Sequence, residues 1–317
     1  PAEPPPEIHH PPFGAMFDLF GDARDVLLGE ASHGTSELYL SRPAISKRLI
    51  ERHGFNIVAV EADWPDAATI DRYVRHRPGR EGEDRAFERF PTWMWRNAEV
   101  DDFVRWLREH NSQRPYEQMT GFFGLDLYNL DASMRAVIDF LERENPEAAK
   151  IARRRYGCLE PWADHPATYG RMAIFEGYAR CQVPVTEMMR DLMKRNFDCL
   201  SAECDEWLDA AANARLVKNA EAYYRVMYEG AAESWNLRDT HMFETLSQLL
   251  DAKGPRSKAI VWAHNSHIDN AAHNDMGKRR GELNMGQLCK DRFDNRARLI
   301  GFGTHTGTVA AADDWDE

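Results

Sequence analysis

The chain of 317 residues is short of positive charge. Its 40 Lys and Arg stand against 52 Asp and Glu, a formal net charge of −12. That balance argues against a broad nucleic-acid or anionic-membrane surface, which needs clustered cations. The basic runs Arg153-Arg154-Arg155 and Lys278-Arg279-Arg280 read as solvated faces. No run of 18 apolar residues is present, so no helix is expected to cross a membrane. The opening Pro-Ala-Glu-Pro-Pro-Pro-Glu lacks the basic start and apolar core of a signal peptide; residues 1–12 read as a Pro-rich linker. The five cysteines (158, 181, 199, 204 and 289) are odd in number and show no zinc-like spacing, which predicts reduced thiols and a cytoplasmic setting. Also missing are the Gly-x-Ser-x-Gly elbow of serine hydrolases, a Gly-x-Gly-x-x-Gly turn and a P-loop. A serine nucleophile and a nucleotide cofactor are therefore not expected.

What is present suffices for a core: 43% of residues are hydrophobic. Short apolar runs at 26–28, 57–60, 122–125, 259–263 and 299–302 read as strands, continuous enough to be buried on both faces. Between the first four lie helical patterns. Pro43 predicts that the first is broken into a short turn and then a helix from 43 to Gly54, because proline disfavours helical backbone at Arg42 before it. Further helices are expected over 66–76, around Val100 to Leu107 and around Met134 to Leu141, with a polar loop over 77–84. Residues 147–252 read as several helices inserted between the third and fourth strands. The expected fold is α/β: a mostly parallel central sheet flanked by helices, one domain over 13–317 carrying this helical insertion.

The first four strands each hand over to an ionisable residue: Glu30, Glu61, Asp126 and His264. If the strands are parallel, these side chains meet at one sheet edge, where α/β proteins place ligands. The turn Gly29-Glu30-Ala31-Ser32-His33-Gly34-Thr35 adds an imidazole next to a carboxylate, and Thr35 or Ser36 can cap the following helix. A histidine titrates near neutrality and is suited to activate water; a carboxylate beside it orients the ring and stabilises its protonated form. The bland alternative is a turn whose polar groups only cap a helix. For Glu61 the bland alternative is a buried carboxylate paired with an arginine, with Arg42 or Arg96 as the candidate partner. Asp63 and Asp126 are read as supporting groups, Trp64, Trp93, Trp95 and Tyr128 as cleft walls or core. His264, Asn265 and His267 can donate to a tetrahedral intermediate or, with Glu30, His33 and Glu61, ligate a metal.

Leu28-Gly-Glu-Ala-Ser-His-Gly-Thr35 resembles the signature of the erythromycin esterase family. Val60-Glu-Ala-Asp-Trp64, Phe90-Pro-Thr-Trp-Met-Trp-Arg-Asn97, Gly124-Leu-Asp-Leu-Tyr128 and Val261-Trp-Ala-His-Asn-Ser-His267 follow in the family's order. The resemblance implies a hydrolase that opens an ester or macrolactone with water and needs no metal. His33 would be the base; Glu30, Glu61, Arg42, His264 and His267 would share the catalytic site; and Trp64, Trp95, Arg96, Asp126, Tyr128 and Asn265 would contact substrate. The family pattern has an arginine at the place of Arg42. It also implies a further C-terminal part beyond residue 317. A metal-dependent hydrolase at the same residues, and a pocket that binds a large ligand without reaction, remain the alternatives.

Overall fold

The protein is seen in a computed structural model that describes residues 7–8, 11–79, 86–87, 92–163, 165–175, 180–194 and 202–311. Most of the expected 1–12 linker, most of the 77–84 loop, Phe90, Pro91 and Cys199 lie outside the described residues.

Five strands form one sheet: β1 (Asp25–Leu28), β2 (Ile57–Asp63), β3 (Gly121–Asp126), β4 (Ala259–Trp262) and β5 (Ala297–Ile300). Their spatial order is β3-β2-β4-β1-β5. All neighbours run parallel, with Leu28 level with Trp262 and Trp262 level with Val60. Val26, Leu27, Val58, Ala59, Ile260 and Val261 are fully buried, as strands covered on both faces require. The fold class read from the sequence is the one observed.

Two apolar layers sit on the sheet. One packs Ile45 and Leu49 of the helix Ser36–His53 and Phe103 and Leu107 of the helix Ala98–Ser112 against Val26, Val58 and Ile260. The other packs the helical insertion against Leu27, Ala59 and Val261. The insertion is helical as expected; its helices include Pro146–Tyr156, Pro166–Phe175, Gln182–Leu192, Ala202–Val226 and Ala231–Ala252. Among the described residues no helix is long and apolar enough to cross a membrane.

Three local expectations give way to packing. Pro43 does not break its helix, which runs unbroken over 18 residues from Ser36 to His53. The local bias at Arg42 is overridden because that side chain is buried, stacked over Tyr39 (4.5 Å) and set 3.1 Å from Glu30. The helix after β2 starts at Trp64 rather than 66, with Pro65 in its first turn, where a missing N–H costs nothing. The cysteines are not all reduced: Cys158 and Cys181, brought together by the insertion, form a disulfide.

Candidate active site

The carboxyl ends of β1, β2, β3 and β4 lie along one edge, and the ionisable residues expected there do converge. After β1 the chain turns sharply. Gly34 has φ +77°, and a Cβ on it would lie 2.0 Å from the Ala310 carbonyl oxygen; glycine is required there. The turn folds His33 back onto Glu30, with Nδ1 2.8 Å from Glu30 Oε1. A carboxylate only accepts, so Nδ1 carries the proton and the neutral ring keeps its lone pair on Nε2. Glu30 is fully buried, whereas a third of the His33 side chain (34%) is open. Arg42 Nη2 lies 3.1 Å from the other Glu30 oxygen, a buried counter-charge that fixes the carboxylate from behind.

Strand β2 shifts register between Val60 and Asp63, a bulge that re-aims Glu61. Its neighbour Gly124 leaves room for this: a Cβ there would lie 2.4–2.5 Å from the Asp63 and Ala62 carbonyl oxygens. Glu61 Oε2 accepts the backbone N–H of His264 (2.7 Å), joining β2 to the turn after β4. Its Oε1 takes Arg238 Nη2 at 2.9 Å and His267 Nε2 at 3.1 Å. The arginine paired with Glu61 is Arg238, neither of the candidates Arg42 and Arg96. Arg42 serves Glu30 instead, and Arg96 is exposed beside a 400 Å³ cavity with Phe87 and Asp101. Arg238 also donates from Nε (2.9 Å) and Nη2 (2.5 Å) to Asp126, so one guanidinium bridges the carboxylates of β2 and β3.

His264 caps its own helical turn, accepting Ser266 N–H (3.2 Å) and the Ser266 hydroxyl (2.8 Å) on Nδ1. Its Nε2–H then donates to the Ala31 carbonyl at 3.2 Å. The ring faces His33 with 5.1 Å between centroids. His267 lies beneath, its Nδ1–H donating to Asp239 Oδ2 (2.9 Å) and its face parallel to Trp235 (4.6 Å, 5°).

The charges follow. Burial opposes protonation of His33, but the Glu30 hydrogen bond and the Glu61 and Glu30 charges outweigh it and raise its pKa above the ordinary value. Burial and then the nearby His33 push His264 down. For His267 burial is again adverse, yet Glu61 and Asp239 push it up to about 9. Burial also disfavours charge on Glu61, but His267 and Arg238 hold its carboxyl well below the usual range.

The remaining expected residues have other positions. Trp64 is a core residue whose indole donates to Asp209 (2.7 Å), and Trp95 is buried with its indole on the Glu61 carbonyl (3.2 Å). Tyr128 covers the Arg238 guanidinium at 5.0 Å. Asn265 grips both backbone groups of Phe302 (2.8 and 3.3 Å), tying the chain after β5 to the turn after β4. Arg238, Asp239 and Trp235 were not singled out from sequence. Their signal is the face Trp235, Arg238, Asp239, Met242, Leu246: a helical core stripe with two charges where apolar residues belong.

Among the described residues, no group of three or more His, Cys, Asp or Glu side chains is arranged to hold a metal ion. The carboxylate oxygens nearest the histidines are taken up by Arg42, His33, Arg238, His267 and a backbone amide.

This is an α/β protein with acid–base groups gathered at the carboxyl edge of a parallel sheet, facing an open imidazole. The family model "Erythromycin esterase" matches residues 50–317, and the chain belongs to the erythromycin esterase family. That membership supports a hydrolase. Erythromycin esterase type II of Escherichia coli is 24% identical over 322 residues, covering 96% of this chain and 75% of the relative. A putative hydrolase, YbfO, of Bacillus subtilis (strain 168) is 20% identical, covering 92% and 67%. Among solved structures, a succinoglycan biosynthesis protein superposes with TM-score 0.73 at 22% identity, covering 95% of this chain and 71% of that one. An erythromycin esterase mutant, EreC, in its open conformation gives 0.64 at 18%, covering 92% and 72%. These likenesses establish the fold.

Proposed function

We propose that the protein hydrolyses a carboxylic ester or lactone by direct attack of water, with His33 as the general base. The observation that carries this is the His33–Glu30 pair: a partly open imidazole with its Nδ1 proton fixed on a buried carboxylate. Its Nε2 lone pair takes a proton from water as the water oxygen bonds to the substrate carbonyl carbon. The Glu30 carboxylate stabilises the imidazolium that forms. His264 Nε2–H, held on the Ala31 carbonyl across from His33, becomes a donor to the developing oxyanion only by giving up that acceptor. Collapse of the tetrahedral intermediate breaks the bond to the alkoxide, which takes the proton back from His33.

Two features support water over a covalent serine. The Ser32 hydroxyl is engaged with Thr35 (2.7 Å), and Ser266 is turned to the Nδ1 side of His264, the side facing its own helical turn. The family match supports an ester substrate, with a lactone as the finer reading. The test is a hydrolysis screen over esters, lactones and amides, with and without exhaustive chelation. Turnover that survives chelation and is lost in His33→Ala is expected. Turnover abolished by chelation and restored by zinc or manganese overturns the water-only route. Undiminished activity in His33→Ala overturns the base assignment, and ligand binding without turnover across every class would make the site a binding pocket.

A further inference from the structure

We propose that Asp239 is a positioning residue that keeps His267 as an imidazolium against Glu61, and that this buried cation sets the pH range in which His33 acts as a base. The inference deepens the hydrolase reading and rests on it for the word base.

The geometry is that of a closed relay. Asp239 is fully buried on the insertion's last helix, Ala231–Ala252. Its Oδ1 accepts the Met285 N–H (2.8 Å), so the carboxylate cannot swing away, and its Oδ2 takes His267 Nδ1 (2.9 Å). On the far side of the ring, Nε2 meets Glu61 Oε1 (3.1 Å) and also lies 3.1 Å from Arg238 Nη1. The arginine can only donate. A neutral ring could accept from it; an imidazolium instead turns its Nε2 proton to Glu61. Two carboxylates flanking one ring favour the second state. Trp235 lies flat on the open face, its indole N–H fixed on the Leu283 carbonyl (2.7 Å), a geometry that stabilises a cation.

The link to His33 runs through Glu61, whose Oε2 holds the His264 backbone N–H (2.7 Å) at the base of the ring that faces His33 (5.1 Å between centroids); its negative charge also favours the protonated His33. Every element around the two rings contributes. The first turn brings Glu30, and the helix behind it Arg42 and Tyr39. Strands β2 and β3 bring Glu61 and Asp126. The insertion brings Arg238 and Asp239, and the turn after β4 brings His264. With the His267 charge present, Glu61 is balanced by two cations. Without it, Glu61 and Asp126 share Arg238 alone, and the net negative field at His33 grows.

Asp239→Asn separates charge from shape. An amide N–H can donate to a neutral His267 Nδ1 while Nε2–H stays on Glu61, so the ring keeps its place and loses its charge. His267→Gln removes the charge from the other side. The experiment is an NMR titration of isotopically labelled histidines in the native protein and both variants, together with the pH–rate profile. The expected result has three parts: both nitrogens of His267 carry protons in the native protein at pH 8, the His33 midpoint rises by about 0.5–1 pH unit in each variant, and activity falls roughly 3–10 times more at pH 6 than at pH 9. A neutral His267 in the native protein at pH 7.5 overturns the proposal, and this measurement stands even if a variant does not fold. A His33 midpoint unmoved in folded variants, or an equal loss at all pH values, also overturns it. If the midpoints move but no ester is turned over, the charge relay stands and the hydrolase reading falls.

Discussion

His33 and His264 face each other with 5.1 Å between ring centroids, yet their proton affinities are driven in opposite directions. His33 is raised by its carboxylates; His264, buried and next to His33, is lowered. The two rings therefore do not compete for one proton. Near neutrality one is poised to take a proton, and the other stays neutral with a fixed N–H.

This pairing predicts the pH dependence of the proposed reaction. His33 must be neutral to act, so kcat/KM rises with slope one at low pH and levels off above the His33 pKa. The midpoint is expected above 6.5, with no second limb from His264 above that pH. A profile measured on any accepted ester checks it; a midpoint below 6 contradicts the assignment.

Replacing Glu30 by Gln keeps an oxygen to receive the Nδ1–H and removes the charge. The acid limb should move to lower pH, and kcat should fall by about tenfold or more, because the imidazolium formed on attack loses its counter-ion. An acid limb that stays in place would show that Glu30 acts by shape alone.

Arg238→Met leaves Asp126 and Glu61 buried at adjacent strand ends without their shared guanidinium. The expected loss is about 3–5 kcal/mol of stability at neutral pH, read from urea unfolding. Arg238→Lys keeps the charge but cannot reach both carboxylates as a fork, and should recover only part of it.

Asp25 gives a second stability test, away from the site. It is fully buried at the start of β1, and burial pushes its carboxyl up to about 7. The folded state thus holds a proton that the unfolded chain has released, so this group's contribution falls as pH rises from about 4 to about 7 and is flat above. Asp25→Asn should remove that fall. Between pH 5 and pH 8 the native protein should lose roughly 2–3 kcal/mol relative to the variant. Parallel stability curves would contradict it.

Much of the architecture was legible because buried parallel strands are nearly all apolar, and the first four hand over to a charged or imidazole side chain. Glu30, His33, Glu61 and His264 could be read because they directly follow such runs. Arg238 and Asp239 could not be read the same way. They sit mid-helix, where a charge usually marks a solvated face, and only the docking of that helix on β2 and β3 turns the face inward. Pro43 misled for a related reason: its local bias is real, but a buried Arg42 tied to Glu30 outweighs it. Trp64 and Trp95 lie beside the motifs in sequence, yet their indoles point into the core.

The bridge made by Arg238 bears on how the protein assembles. Glu61 and Asp126 stand at the ends of adjacent strands, so a sheet formed without the insertion would hold two like charges side by side. That edge is electrostatically frustrated until the helix Ala231–Ala252 docks and delivers Arg238 and Asp239. The last helix of the insertion thus relieves the sheet's repulsion and completes the site in one event. A chain caught before that step would lack both the stable edge and the compensated carboxylates, which couples maturation of the site to completion of the fold.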